Sequence, residues 1–210
     1  DGTVSLDGPI AAHVQGSDIP LGMFTKAAGV QADVLGTANI EMTFGDTLAS
    51  PSARMTVQAK NGGIQGSTFD NLTAQLRLSH GILNVDEMQV AKTVGKQAPH
   101  TYRASASGIV PLRALTAGAE DALADYEQIR LNVSLDDADL SLLPVLSSQV
   151  DWAMGATKGS VLVTGTAAQP LFEGELSLAD GAMKLKPLEK PIEQMTGKLT
   201  FHGNVMTLSD

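Results

Sequence analysis

The chain has 210 residues, a net charge of −9 and no cysteine. That length suits one domain with a sizeable core or one continuous piece of a longer protein. The negative field sets nucleic acid and anionic bilayer surfaces aside as partners, and the missing thiols remove disulfides, thiolate nucleophiles and cysteine-based metal sites.

Aromatic residues make up 4% of the chain against 21 glycines and 8 methionines, so ring-on-ring core packing is scarce. The absence of cysteine suits an oxidising compartment without proving one. No uninterrupted apolar run reaches the roughly 18 residues of a bilayer span, and the first residues lack the basic-then-apolar order of a signal peptide. Residues 1–6 and 206–208 both read as strand alternation in progress, so the sequence is expected to be a segment of a longer protein, one continuous unit over 1–210.

Period two dominates the chain and predicts half-buried strands. Val4 and Leu6 give a weak first example, and Ile40, Met42 and Phe44 a strong one, followed by Met55, Val57 and Ala59. Asn61-Gly62-Gly63 reads as a tight turn, then Leu76 and Leu78 alternate up to a second turn at Ser79-His80-Gly81. Tyr102, Ala104 and Ala106 continue weakly, and Leu115 to Tyr126, rich in alanine and acidic residues, predicts a short helix or a surface insertion.

Ile129, Leu131, Val133 and Leu135 then alternate with Arg130, Asn132, Ser134 and Asp136, the clearest strand of all. Between Ser141 and Gly155, the residues Leu143, Leu146, Val150 and Ala153 or Met154 recur at steps of three and four. That spacing predicts a short amphipathic helix with Ser141 as N-cap and Gly155 as stop. Val161 and Val163, Leu176 and Leu178, and Leu199 and Phe201 close the series, with turns expected at Asp180-Gly181 and His202-Gly203-Asn204. Pro51, Pro99, Pro111, Pro170, Pro187 and Pro191 are expected between strands, where a missing N–H removes no ladder bond.

Short turns between alternating runs make the topology an antiparallel meander. Asn61-Gly62-Gly63-Ile64 matches Asp180-Gly181-Ala182-Met183, and Thr73 to Leu78 matches Thr196 to Phe201, which defines degenerate repeats over about 29–94 and 129–210. The fold class expected is all-β: an elongated, curved antiparallel sheet, an open β-groove with an apolar interior and one or two short helices.

The series Gly159-x-Val-x-Val-x-Gly-Thr166, Pro170, Gly174-Glu-Leu-Ser-Leu178, Asp180-Gly181 and Gly197-Lys-Leu-Thr-Phe201, preceded by a leucine-rich stretch near Leu142, resembles the AsmA-like family of the Gram-negative envelope, in particular its TamB branch. The resemblance is firmest over 129–210 and weaker over 29–90. It implies a taco-shaped β-groove in the periplasm along which phospholipid acyl chains pass between the inner and outer membranes, in a protein held by an N-terminal membrane helix outside this sequence. It further implies a linked role in outer-membrane assembly through an Omp85-type outer-membrane partner, met by regions outside this sequence.

Enzyme chemistry finds little purchase. His13, His80, His100 and His202 are far apart, with His80 and His202 at matching turn positions, and Asp136-Asp137-x-Asp139 lacks calcium-loop spacing and reads as a solvated turn. Phosphate-loop glycines and a nucleophile elbow are absent, and the sequons at Asn71 and Asn132 fall in or beside predicted strands. No catalytic residue, metal or cofactor is expected. The groove-lining candidates are Leu76, Leu78, Leu131, Val133, Leu135, Val161, Val163, Leu176, Leu178, Leu199 and Phe201, with Leu143, Leu146 and Val150 on the helix near it. Met23, Met42, Met55, Met183, Met195 and Met206 suit a surface that adapts to disordered chains. The other readings are a β-solenoid adhesin passenger and, last, a glycan-active β-protein, for which Trp152, Tyr102 and Tyr126 offer few sugar platforms. Open β-edges make a homodimer of this segment a further expectation.

Overall fold

The computed structural model describes residues 11–23, 34–47, 51–64, 67–94, 99–118, 123–140 and 150–209. The strands are β1 (Ala12–Pro20), β2 (Val34–Asp46), β3 (Pro51–Ile64), β4 (Ser67–Ser79), β5 (Ile82–Val94), β6 (His100–Pro111), β7 (Ile129–Asp139), β8 (Val150–Gly165), β9 (Pro170–Leu185), β10 (Ile192–Gly203) and β11 (Val205–Ser209). They form one open, curved, eleven-stranded sheet in chain order, every neighbour antiparallel. Helix α1 (Leu112–Thr116) and a 3-10 turn (Asp125–Glu127) lie in the connection after β6 and overlap only the two ends of the Leu115 to Tyr126 stretch expected as a helix or insertion.

Most of the interior strands run to 11–16 residues, about twice the usual length. A strand that long in a single layer must bend to hide its apolar face, and β-bulges are how it bends. Register shifts occur in most pairs, and positive φ angles fall inside strands at Asp18, Asn61, Asp137, Asp180 and Gln194. Four of those five are Asp or Asn, whose short polar side chains tolerate the left-handed region.

Two of these bulges correct the turn assignments. Asn61-Gly62-Gly63 and Asp180-Gly181 do not reverse the chain; they lie within β3 and β9. Asn61-Gly62 stands opposite Gly36 of β2, and Asp180-Gly181 opposite Gly155 of β8. In each case the facing glycine also has positive φ, and a β-carbon on it would lie 2.8 Å (Gly36) or 2.6 Å (Gly155) from the Cα of the glycine opposite. The sequence repeat is therefore a duplicated bulge. Ser79-His80-Gly81 is the two-residue hairpin expected, with Ser79 paired to Ile82, and the chain reverses again at Gly203-Asn204 between His202 and Val205.

The predicted helix is corrected too. Val150 to Gly155 belong to β8, with Val150 and Ala153 buried and Met154 exposed. The spacing of three and four arose because the bulge at Gly155 and the shift between Val150 and Trp152 interrupt the alternation. Leu143 and Leu146 lie outside the described residues. Pro51, Pro111 and Pro170 sit on the terminal residues of strands instead of between them, where the ladder loses least.

The accessible surface is 12780 Å², against about 9,300 Å² for a typical globular chain of this mass. Three apolar clusters hold it: one across β7–β10, one across β1–β5 and one where Ala114 of α1 packs beside Val85, Val110 and Ile129.

Replacing Gly155 by Ala is expected to lower the unfolding free energy by about 2–4 kcal/mol, since it adds a backbone clash to a strained φ. The same change at Gly81, where nothing lies within 4 Å of the added carbon, should cost about 1 kcal/mol. Urea denaturation of the two variants checks the ranking.

Candidate functional site

The ladder places residues side by side on one face, and three lateral rows can be followed from strand to strand. The middle row is Gly16, Ile40, Val57, Ala74, Met88, Ala106, Val133, Val161, Gly174, Phe201 and Met206, one residue from each strand. A second row runs Ile19, Ala38, Ala59, Leu72, Val90, Ala104, Leu135, Gly159, Leu176, Leu199 and Leu208, again through all eleven. A third runs from Val14 through Met42, Met55, Leu76, Val85, Gly108, Leu131 and Val163 to Phe172. Every member is apolar or glycine. At about 4.8 Å per strand the stripe is about 48 Å long.

The opposite face carries rows such as Gln15, Glu41, Thr56, Gln75 and Glu87. A depression of about 310 Å³ on that side is bordered by Asn71, Thr73, Gln89, Arg103, Ser105, Ser134 and Asp136. It is open, with Val90, Ala91 and Ala104 also in its lining and no aromatic ring among its walls.

All eleven sequence-predicted lining residues fall on the apolar face. Leu78 lies one step outside the third row, beside Ala53 and Leu83, and Leu178 one step outside the second, beside Thr157. Their exposure divides them. Leu76, Leu78, Leu131, Val133, Val163 and Phe201 are half-buried and form a surface, whereas Leu135, Val161, Leu176, Leu178 and Leu199 are buried and belong to the β7–β10 cluster. Val150 joins that cluster from β8.

The lining candidates left out the small residues of the face and everything before Leu76, although Ile40, Met42, Met55, Val57, Ala59, Ala104 and Ala106 read as strand alternation. Ala38, Ala59, Ala74 and Ala106 are buried beneath longer neighbours, so the rows have a floor of methyl groups and glycines flanked by Leu, Met, Val and Phe. On β5 the alternation changes phase: Leu83 and Val85 precede the bulge, Met88 and Val90 follow it, and all four share the apolar face. One inserted residue reverses parity, which hides such a strand from a period-two search.

Three histidines stand beside carboxylates. His13 is 3.7 Å from Glu41, His100 2.8 Å from Asp137 and His202 3.1 Å from Glu173, which also accepts the Gly203 N–H at 3.1 Å and so caps the last turn. His80 sits in its hairpin as expected. Asp136 and Asp137 lie inside β7 at a bulge, not in a turn leading to a helix, and Asp136 faces Lys158 at 3.7 Å. No group of three or more metal-ligating side chains converges among the described residues. Arg77 grips Asp86 with both ends of its guanidinium, Nε to Oδ2 at 2.6 Å and Nη2 to Oδ1 at 2.5 Å. Asp86 is the unmatched residue of the β4–β5 bulge, and these hydrogen bonds hold its carboxyl below the ordinary carboxylate range while raising Arg77.

Within the β7–β10 cluster one polar atom stands out. Thr157 is 1% exposed and its Oγ1 has no hydrogen-bond partner among the described residues. A buried, unpaired hydroxyl costs a fold about 1–3 kcal/mol.

Comparison with protein-family models, curated proteins and solved structures returns no match.

Two expectations follow. Leu199→Ala should lower the unfolding free energy by about 2–5 kcal/mol, well beyond the effect of Leu131→Ala, as read by urea denaturation. Asp86→Asn should destabilise the chain at pH 7. Because the folded carboxyl titrates below its unfolded value, the ion pair's contribution is present above about pH 4. The deficit of the variant should therefore shrink as pH falls through the lowered value, which stability curves between pH 7 and pH 2 would reveal.

Proposed function

We propose that this chain is a lipid-conducting segment of a TamB-type, AsmA-like envelope protein. The observation that supports the reading most is the middle row, apolar or glycine on all eleven strands without interruption. The chain's own strands need no such stripe merely to pair; a core would suffice in patches. A continuous stripe suits an elongated apolar guest that moves along it while its charged head stays in water. Burying each methylene is worth about 0.8 kcal/mol, so ten of them give about 8 kcal/mol before ordering costs. Met42, Met55, Met88 and Met206 along the rows adapt to chains of varying shape.

In this reading the half-buried Leu76, Leu131, Val133, Val163 and Phe201 touch acyl chains, and the fully buried leucines hold the wall they stand on. The segment works in the periplasm, between an inner-membrane anchor and an Omp85-type outer-membrane partner that meet other parts of the same protein. Its guests are phospholipid acyl chains and its role is transport towards outer-membrane assembly, with no covalent step and no cofactor. The antiparallel meander counts against the solenoid passenger, whose coils stack in parallel.

Incubation of the purified chain with phospholipid vesicles, followed by native mass spectrometry, tests the proposal. Val133→Asp on the apolar face should cut retained lipid at least tenfold, while Ser134→Asp on the polar face leaves it unchanged. Equal losses from both faces, with circular dichroism showing both variants folded, would rule the apolar path out.

A further inference from the structure

Like charges meet on the polar face. Arg54 of β3 stands directly opposite Arg77 of β4, and their lateral row runs from Thr43 of β2 through both to Asn84, Ile109 and Arg130 of β7. That row holds three arginines and no carboxylate, in a chain whose net charge is −9. Like charges directly opposite one another weaken a strand pair, so the sheet gains nothing from the placement of Arg54 beside Arg77.

The two guanidinium groups are held differently. Asp86 occupies Nε and Nη2 of Arg77. A guanidinium presents its donors in one rigid plane, so this grip fixes the plane and leaves Nη1 for another acceptor. Arg54 makes no hydrogen bond or ion pair with the described residues. Asp86 therefore offsets one of the two charges, and the other stays uncompensated. Both arginines line an open depression of about 390 Å³ together with the half-buried Ser52 and Ser79 and with Asn84, whose side-chain amide donates to the Arg77 carbonyl at 3.4 Å. Phe44, Ala53 and Leu78, of the opposite parity, are also in its border, and no carboxylate is.

We infer that this depression binds a phosphate group, with Arg54 and Arg77 as its charged donors and the Ser52 and Ser79 hydroxyls as its neutral ones. Guanidinium forks match phosphate oxygens two at a time and are more weakly hydrated than an ammonium. A carboxylate keeps both oxygens in one plane, whereas a tetrahedral phosphate spreads its oxygens towards donors arriving from separate strands. Free phosphate and the phosphodiester of a lipid headgroup share that chemistry. The depression lies on the face opposite the apolar rows, so the assignment does not rest on the lipid path proposed above.

Isothermal titration calorimetry of the 210-residue chain with inorganic phosphate and, separately, with glycerophosphoglycerol, a phospholipid headgroup without acyl chains, tests the assignment. At least one probe should bind saturably at pH 7. Arg54→Gln should weaken that binding about tenfold or more, the factor a hydrogen bond to a charged group is worth, and should leave the urea midpoint unchanged or higher because it relieves the facing pair. Lys60→Gln removes the same charge from β3 outside the depression and should change affinity less than about twofold. Binding of inorganic phosphate alone identifies a free phosphate as the guest, and binding of the diester identifies a headgroup. No saturable binding of either probe, or equal weakening by Arg54→Gln and Lys60→Gln, overturns the site; since neither probe carries an acyl chain, that result leaves the apolar path standing.

Discussion

A single sheet has one apolar face and no second layer to hide it, and that constraint shapes everything else in this chain. The strands respond by being long and by bending. A β-bulge puts two residues against one, tightening the local twist and tilting the strand. Asp and Asn at positive φ, with glycine on the facing strand where a β-carbon would collide, make those bends at fixed places. The polar side then contributes local fastening, as Arg77 does across the β4–β5 bulge and Glu173 at the last turn. These exposed pairs hold geometry more than they add stability.

Bending the sheet explains how a face one layer thick acquires fully buried residues. Leu176 and Leu199 have no exposed surface, although the described residues provide no second sheet. Across β7–β10 the large aliphatics crowd together, and across β1–β5 alanines take the same positions under methionine and valine. The two clusters therefore differ in side-chain volume, although the duplicated bulge gives them the same backbone plan.

The proposed path depends on the parts of the face left half-buried. A wall that closed entirely on itself would be a core, and one that stayed fully exposed would invite aggregation. The middle row stands between these limits, its largest side chains interleaved with alanine and glycine. Thr157 breaks the apolar rule at one buried place.

The all-β meander was legible in the sequence because period two is a local property: Ile129 to Leu135 alternate whatever surrounds them. The placement of all eleven predicted lining residues on one face follows from the same alternation. What alternation could not reveal is where parity changes. Asn61-Gly62 and Asp180-Gly181 have the same φ preferences in a hairpin turn and in a bulge, and only the strand lying opposite decides between them. The run from Val150 to Gly155 mimicked a helix because an interrupted strand spaces its apolar residues by three. The sequence by itself determined most of the strands, the polar and apolar sides and the existence of a repeat; the tertiary structure alone decided where β1 and β5 run, which glycines bend the sheet, which leucines are core and which are surface, and that one threonine is buried without a partner among the described residues. Those depend on the distance between strands remote in sequence, which no local pattern encodes.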